Sequence, residues 1–375
     1  MDASLYTFVA TCLFGLEKLV GEEIDALGGR RTETIDGRVK FQAPLTLLPR
    51  FNIGLRFAER VLIEVGTCPA PDFDTLFEGV KAMPWEQYIG KNDAFPVKGH
   101  SIKSKLFSLP DCQKIIKKAT ATRLGRHYGL NFLPETDLKY QIEFFIFKDV
   151  ASLMLDTSGT PLHKRGYRPL STEAPLRETL AAALVKLARP REEVLLWDPM
   201  CGSGTIATEA ALMMSNTAPG LNRSFTAELY PWLDGSVWEE ARDEATAAIT
   251  EPSFEAYASD IDPQAVAIAK ETVRRAGVSR YVKVFCQDAL TITTEGRRGT
   301  VVCNPPYGER LSTLEEAERL YTAMGRHFST LDRWQIYVLT SDEAFESCYR
   351  RRADKVRKLY NGMIPCYYYQ YFKTK

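Results

Sequence analysis

The chain has 375 residues, which is more than one hydrophobic core usually holds, so we expect two or three domains. Its 48 basic and 48 acidic residues balance, and net charge therefore gives no evidence for a polyanionic partner. The 8 cysteines and 4 histidines are dispersed without metal-ligand spacing, which predicts reduced thiols, a cytoplasmic location and no bound metal.

The first 160 residues predict a small α+β region. Its amino-terminal apolar stretch is broken by polar residues, which predicts neither a signal peptide nor a membrane span. The hydrophobic patterns predict a strand over residues 6–12, a helix over 16–27, a strand over 61–65, a helix over 73–82 and a strand over 93–98. Residues 141–147 and 151–156 then predict a hairpin.

A basic segment covers residues 98–126, where Asp111 is the one acidic residue. Pro110 favours a helix start, and apolar residues give that helix one buried side. Charge runs are usually solvated helix faces, but the shortage of acids here favours a surface that binds RNA phosphates. The basic residues are Lys98, Lys103, Lys105, Lys114, Lys117, Lys118, Arg123 and Arg126.

A second basic run forms the predicted linker of residues 161–174 and contains Lys164, Arg165 and Arg168. We expect these three side chains to bind RNA as well. From residue 175 onward, helices alternate with strands, as in an α/β domain with a mostly parallel sheet.

A glycine loop after the predicted strand at residues 194–197 is the first candidate site. Glycines after a buried strand allow a ligand to approach the backbone at the carboxyl edge of a sheet, although an ordinary turn explains them equally well. The loop lacks the full dinucleotide and P-loop spacings, which disfavours nicotinamide cofactors and nucleoside triphosphates. Its candidate residues are Asp198, Pro199, Met200, Cys201, Gly202, Gly204 and Thr205.

Two further acids follow predicted strands. Asp262 suits a helix N-cap, which leaves Asp260 free to bind two ribose hydroxyls. Asp288 is placed to accept a bond from an adenine amine, and a loop-solvating role is nearly as well supported. Between the first two sites, residues 216–252 form an insertion that acts as a packing extension or as a wall on the substrate side.

The most informative motif is Asn304, Pro305, Pro306 and Tyr307 after a predicted strand at residues 300–303. An exocyclic base amine is a poor nucleophile because its lone pair is delocalised into the ring. The Asn304 side-chain oxygen and the Pro305 carbonyl can accept both amine hydrogens, while Tyr307 offers a face for stacking. Positioning and electrostatics then suffice for methyl transfer without an acid or base.

Together these residues resemble class I S-adenosylmethionine-dependent methyltransferases over residues 175–375. The resemblance implies methionine contacts on the 198–205 loop, ribose on Asp260, adenine beside Ile261, Asp288 and Ala289, and the target amine at residues 304–307. It also implies a closing hairpin with a reversed last strand. The implied fold is a Rossmann-like α/β sheet preceded by an α+β ferredoxin-like and THUMP RNA-binding region.

The whole chain is similar to bacterial THUMP-domain methyltransferases that modify the 2-amino group of guanine in 23S ribosomal RNA. Residues 97–106, 164–168 and 304–311 carry that similarity. It implies a ferredoxin-like region at 1–60, a THUMP domain at 61–160, the linker at 161–174 and the methyltransferase domain at 175–375. It also implies S-adenosylmethionine as cofactor and 23S rRNA or a pre-ribosomal particle as partner.

Other functions share these features. The Asn-Pro-Pro-Tyr motif also serves methylation of DNA amines, with base flipping, and of protein glutamine amides. A glutamine substrate gives no reason for the basic amino-terminal half. An RNA-binding ribosome-assembly factor with incidental methylation is the alternative from another class.

Overall fold

A computed structural model describes residues 4–168, 176–306 and 314–372 of the chain. Within these ranges the chain forms two seven-stranded sheets with helices packed against them. The strands are β1 (Leu5–Cys12), β2 (Arg30–Ile35), β3 (Arg38–Pro44), β4 (Ala58–Pro69), β5 (Val97–Ile102), β6 (Ile142–Phe147), β7 (Val150–Asp156), β8 (Leu195–Asp198), β9 (Ala256–Asp260), β10 (Val282–Cys286), β11 (Gly299–Cys303), β12 (Trp334–Thr340), β13 (Lys355–Asn361) and β14 (Ile364–Tyr371). The helices are α1 (Glu17–Ala26), α2 (Leu48–Gly54), α3 (Phe73–Ala82), α4 (Leu109–Tyr128), α5 (Glu178–Ala188), α6 (Thr205–Met214), α7 (Ser236–Ala247), α8 (Pro263–Arg275), α9 (Leu314–Phe328) and α10 (Phe345–Tyr349).

The first sheet has the strand order β2-β3-β1-β4-β7-β6-β5. Its central strand, β4, is antiparallel both to β1 and to β7, and so joins the beginning and the end of the predicted α+β region. The predicted hairpin forms between β6 and β7, and Lys148 and Asp149 both adopt positive φ at its turn. The predicted division between residues 60 and 61 falls inside β4, so both predicted amino-terminal domains share one sheet. The three predicted domain boundaries stay predictions.

Two features of this sheet differ from the sequence-based prediction. The strand predicted over residues 93–98 is β5, which begins at Val97, because Pro96 has no N–H to donate and Ala94 makes a single isolated bridge with Lys139. The polar hairpin of β2 and β3 was not predicted. The side chains of β2 are largely exposed, so this strand carries no hydrophobic signal.

The second sheet has the order β10-β9-β8-β11-β12-β14-β13. Strands β8 to β12 are parallel, whereas β14 is antiparallel to β12 and pairs with β13 in the predicted closing hairpin. The strand order reverses between β8 and β11, and in open α/β sheets ligands bind at the carboxyl edge beside such a reversal. The loops after β8 and β11 therefore lie where a ligand is expected.

The insertion of residues 216–252 packs against the first sheet. Tyr230 stacks on Tyr140 with ring centroids 4.4 Å apart, and its hydroxyl donates to the Asp156 carbonyl. Trp238 of α7 is buried and stacks on Phe225 at 5.4 Å. The structure thus gives the insertion a packing role against the first sheet.

No helix in the described ranges combines the length and the apolar character needed to span a membrane. Among the same residues, no cluster of three or more His, Cys, Asp or Glu side chains is arranged to hold a metal ion.

Candidate active site

The glycine loop after β8 closes tightly against the end of β9. The Cys201 N–H donates to the Ser259 carbonyl at 2.9 Å, and the Gly202 N–H donates to Asp260 Oδ2 at 2.9 Å. Gly202 and Gly204 have φ values of +50° and +74°, which favour glycine. A Cβ atom on Gly204 would lie 3.0 Å from the Ala269 Cβ, whereas one on Gly202 would meet nothing within 4 Å. The backbone of Gly202 is therefore open to a ligand.

Asp260 is bonded within the protein, and its role in binding ribose stays a prediction. Besides the bond from Gly202, its Oδ1 accepts from the Asp262 N–H at 3.1 Å, so the carboxylate is not free. Asp262 caps α8 as predicted, with its side chain accepting from the Gln264 N–H at 2.9 Å. Each Asp260 oxygen accepts one hydrogen bond from the described residues and has a second lone pair. The carboxylate is thus held in one orientation with capacity for two further donors.

Asp198 ends β8 and is 1% exposed. Its Oδ1 accepts from the Met200 N–H at 3.3 Å. Burial raises the pKa of Asp198 well above its usual value, and the nearby charge of Asp260 adds to that effect. A cation bound beside the two carboxylates would favour their ionised forms, so the pair suits a positively charged ligand group.

The residues predicted to flank an adenine lie in the loops after β9 and β10. Ile261 directly follows β9 and is 67% exposed, so its side chain is accessible to a ligand. Asp288 Oδ1 accepts from the Leu290 N–H at 2.9 Å and caps a short helical turn, in which Ala289 is buried. Asp288 therefore has a structural role whether or not it also binds a ligand.

Asn304 directly follows β11, on the other side of the strand reversal from Asp198. Its Oδ1 is buried, and no donor among the described residues bonds to it. Pro305 is buried and Pro306 is half-buried, which holds this short segment rigid. Tyr307, the fourth residue of the motif, lies outside the described residues. Buried amide oxygens normally accept a hydrogen bond, so an unpartnered one is a candidate acceptor for a donor on a ligand.

Three family models match the chain in succession. Residues 7–62 match the RlmL ferredoxin-like domain, residues 70–156 match the THUMP domain, and residues 165–370 match the RMKL-like methyltransferase domain. The last match covers more than half of the chain. The chain belongs to the RMKL-like methyltransferase family. The resemblance and the fold class inferred from the sequence are confirmed.

Relatives of this family resemble the chain over nearly its full length. YpsC of Bacillus subtilis (strain 168), named as a candidate RNA methyltransferase, is 43% identical over 98% of this chain and 96% of its own. The ribosomal RNA large subunit methyltransferase K/L of Psychromonas ingrahamii is 33% identical over 94% of this chain and 48% of its own, so the chain spans about half the length of that relative. The solved structure of SMU.472, a candidate methyltransferase complexed with SAH, is 38% identical with a TM-score of 0.91 and full coverage of both chains.

The linker arginines do not form the RNA-binding surface predicted for them. Arg165 is 4% exposed and donates to the carbonyls of Leu162 and Arg56 at 2.7 and 2.5 Å. Its Nε lies 3.5 Å from Glu209, which also accepts from the Tyr167 hydroxyl at 2.8 Å. We refer to Arg56, Arg165, Tyr167 and Glu209 as the linker cluster. Because Arg165 is buried, its donors are not available to a phosphate.

Arg168 is also directed inward. It donates to Thr205 Oγ1 and to the Leu176 carbonyl, both at 2.9 Å, and lies 3.4 Å from Glu178. Thr205 is the first residue of α6, directly after the glycine loop, so the linker contacts the predicted cofactor site. Lys164, in contrast, is exposed as predicted for a phosphate ligand. The contact between Arg168 and Thr205 was not predicted, since no local pattern links two residues that are 37 apart.

The basic segment of residues 98–126 forms β5 and α4, and α4 has the predicted buried apolar side. Three of its cations have acidic partners from outside the segment, which corrects the assumption that they are uncompensated. Lys98 pairs with Glu143 at 2.9 Å, Lys117 with Glu135 at 2.5 Å, and Arg123 binds Glu86 through two nitrogens. Lys114 lies 3.8 Å from Asp111 on an exposed surface. The exposed cations without a described carboxylate within 4 Å are Lys103, Lys105, Lys118 and Arg126.

Proposed function

We propose that the chain transfers a methyl group from S-adenosylmethionine to an exocyclic amine of a base in structured RNA, with guanine N2 of 23S rRNA as the target. The observation that carries this proposal is the buried, unpartnered Asn304 Oδ1 at the carboxyl end of β11, across the strand reversal from the glycine loop. This oxygen is a hydrogen-bond acceptor at the place where an enzyme that methylates an amine must hold the amine.

The chemistry needs the amine lone pair to be directed out of the base ring. Asn304 Oδ1 accepts one amine hydrogen and the Pro305 carbonyl accepts the other, which localises the lone pair on nitrogen. S-adenosylmethionine supplies an electrophilic methyl group on a sulfonium. The carbon–nitrogen bond forms as the carbon–sulfur bond breaks, and the amine proton then passes to solvent. Tyr307 supplies a stacking face for the base.

S-adenosylmethionine as cofactor gives a binding role to residues of the glycine loop and of the neighbouring strand ends. Asp198 faces the positively charged methionine amine, and the open backbone of Gly202 admits the methionine moiety. The two remaining lone pairs of Asp260 accept from the ribose hydroxyls, and Ile261 and Ala289 flank the adenine. The SAH held by SMU.472, which resembles this chain over its full length, supports this cofactor.

The RNA assignment draws support from two sources. Both sequence relatives described above are named for RNA methylation, and the one named for ribosomal RNA is about twice the length of this chain. The exposed cations of the basic segment 98–126 supply the phosphate contacts that RNA binding needs. Guanine comes from the resemblance alone, so the test must identify the methylated base.

The decisive experiment compares Asn304→Ala with Gln287→Ala. Gln287 also has an amide side chain and lies at the same edge of the sheet. Its amide nitrogen donates to the Thr291 hydroxyl, so Gln287, unlike Asn304, has a partner within the protein. Loss of one transition-state hydrogen-bond partner lowers the methyl-transfer rate by about a hundredfold to a thousandfold, so we expect this loss in Asn304→Ala and little change in the control. Calorimetry should give the same S-adenosylmethionine affinity for both variants.

The measurement is single-turnover methylation of unmethylated 23S rRNA, followed by nucleoside analysis by mass spectrometry. Full activity in Asn304→Ala would contradict the amine-binding role. Methylated adenine in place of guanine, or methylated protein glutamine, would contradict the substrate assignment while leaving the methyltransferase assignment in place.

A further inference from the structure

A cavity lies at the edge of the second sheet opposite to Asp198 and Asn304. It has a volume of about 420 Å³ and lies where the amino-terminal ends of β8, β11 and β12 approach α1 and β13. Phe14, just before α1, packs edge-on against Tyr360 of β13 with ring centroids 5.5 Å apart. The cavity therefore lies between the first region of the chain and its closing hairpin.

The lining of this cavity is strongly basic. It includes eight Lys and Arg side chains, and Glu22 is the one acidic residue among the described residues that line it. Within the described ranges, carboxylates lie within 4 Å of just two of these cations, since Lys18 is 3.8 Å from Glu22 and Arg333 is 3.6 Å from Asp332. The chain as a whole is neutral. Such a concentration of like charge raises the local concentration of anions.

Two buried donors in the same cavity lack acceptors. Gln370 is 5% exposed, and its Nε2 has no hydrogen-bond partner among the described residues. Arg357 Nε is buried without a partner in the same way. Buried donors are normally bonded, so both nitrogens indicate a ligand that brings acceptor oxygens. Phosphate oxygens combine the required charge and the required acceptors.

We propose that this cavity binds phosphate groups of the RNA substrate at a distance from the base that is methylated. This inference rests on the proposed function. Small-molecule sites are mostly apolar and enclose their ligand, whereas Arg191, Arg298 and Lys355 keep exposed charged groups along an open lining. From Thr300, which lines the cavity, to Asn304 is about 13 Å of strand, a distance that one RNA chain can cross.

The test removes three exposed cations together, in the variant Arg191→Ala/Arg298→Ala/Lys355→Ala. A matched control, Lys270→Ala/Arg274→Ala/Arg280→Ala, changes the net charge equally at exposed positions outside the cavity. The probe is deproteinised 23S rRNA, and binding is measured between low and moderate salt. Each lost phosphate contact lowers the slope of log K against log salt by about 0.7 to 0.9, so the first variant should lose roughly two to three units and the control none.

A charge-preserving variant, Arg191→Lys/Arg298→Lys, should keep the wild-type slope, which separates loss of charge from loss of folding. All variants should keep the wild-type affinity for S-adenosylmethionine, because that site lies at the other edge of the sheet. A second titration uses inorganic pyrophosphate as a small anion. The triple variant could lose pyrophosphate binding and still show the wild-type salt slope of RNA binding. That result would overturn the RNA assignment in favour of a small-anion site.

The outcomes also separate this inference from the proposed function. If the wild type methylates 23S rRNA and the triple variant binds it with the same salt slope, the cavity is not an RNA site and the proposed function stands. If the wild type neither binds nor methylates RNA, the proposed function fails and the cavity assignment fails with it.

Discussion

The linker and α4 are both basic in sequence, but their basic side chains have opposite environments in the structure. In the linker, Arg165 and Arg168 point into the protein. They donate to carbonyls and to a hydroxyl, and they lie beside buried acids. On and beside α4, Lys105 and Lys118 are exposed and have no described carboxylate within 4 Å. The difference shows that the role of a basic run depends on where its acidic partners lie, and these partners come from distant parts of the chain.

We expect the largest effect on stability from the variant Glu209→Ala, which tests the buried side of this comparison. Glu209 is fully buried and lies 3.6 Å from Arg56 and 3.5 Å from Arg165, so its removal leaves two buried guanidinium groups without their carboxylate. Breaking a buried ion pair in this way costs about 3 to 5 kcal/mol, and urea unfolding should show a loss of this size. The control is Glu251→Ala, which removes the exposed partner of Arg280 and should change stability little. A small loss in Glu209→Ala would mean that the linker cluster is not a structural unit.

A second prediction concerns pH. Burial raises the pKa of Glu23, whose carboxylate accepts from the Arg56 N–H, from 4.5 to about 7 in the folded chain. Between these two pH values the folded chain holds a proton that the unfolded chain releases, so the contribution of Glu23 to stability falls as pH rises from 4.5 to about 7. Glu23→Gln cannot titrate and should remove this part of the dependence. Parallel slopes for wild type and variant in denaturation series over this range would contradict the assignment.

Arg168→Ala should have a smaller effect, and it should act on cofactor binding. The variant removes the bond to Thr205 at the start of α6, and a bond of this charged kind contributes about 1.5 to 3 kcal/mol. We therefore expect at least a tenfold weaker affinity for S-adenosylmethionine by calorimetry. Lys164→Ala, which removes an exposed linker cation, serves as the control and should keep cofactor affinity. Equal affinities in both variants would show that the linker does not orient the glycine loop.

The smallest effect on stability is expected for the exposed cations. Lys103→Ala/Lys105→Ala/Lys118→Ala should unfold at the wild-type urea concentration, while the salt slope of RNA binding falls by roughly two to three units. Arg123→Ala should change the slope less than one exposed lysine does, because Glu86 already binds the guanidinium. An unchanged slope in the triple variant would make this face of the chain a solvated surface.

Local patterns predicted those parts of the structure that depend on neighbouring residues. Strand and helix alternation, the turn at Lys148 and Asp149, and the N-cap at Asp262 are all encoded within a few residues of where they act. The β2 strand was missed because its sequence has no buried face. Of the two partners of Asp260, the Gly202 N–H is 58 residues away and has no local signal, whereas the bond from the Asp262 N–H is local and was missed.

The sequence predicted which residues form the candidate site better than it predicted their environment, because the environment depends on distant residues. The ends of β8, β9 and β11 were identified from short motifs, and the sheet brings these ends to one edge. The burial of Asn304 Oδ1 without a partner is a property of the fold and has no sequence signal. The inward orientation of Arg165 and Arg168 likewise depends on Glu209 and Glu178, whose positions in space a linear pattern cannot give.

The insertion has a consequence for the order in which the chain folds during synthesis. Tyr140, just before β6, and the end of β7 belong to the first region of the chain, but Tyr230 covers them only after residues 216–252 have left the ribosome. The nascent first region thus exposes an aromatic surface for some seventy further residues of synthesis. A fragment that ends at residue 160 should accordingly associate or bind chaperones, whereas the full chain should not.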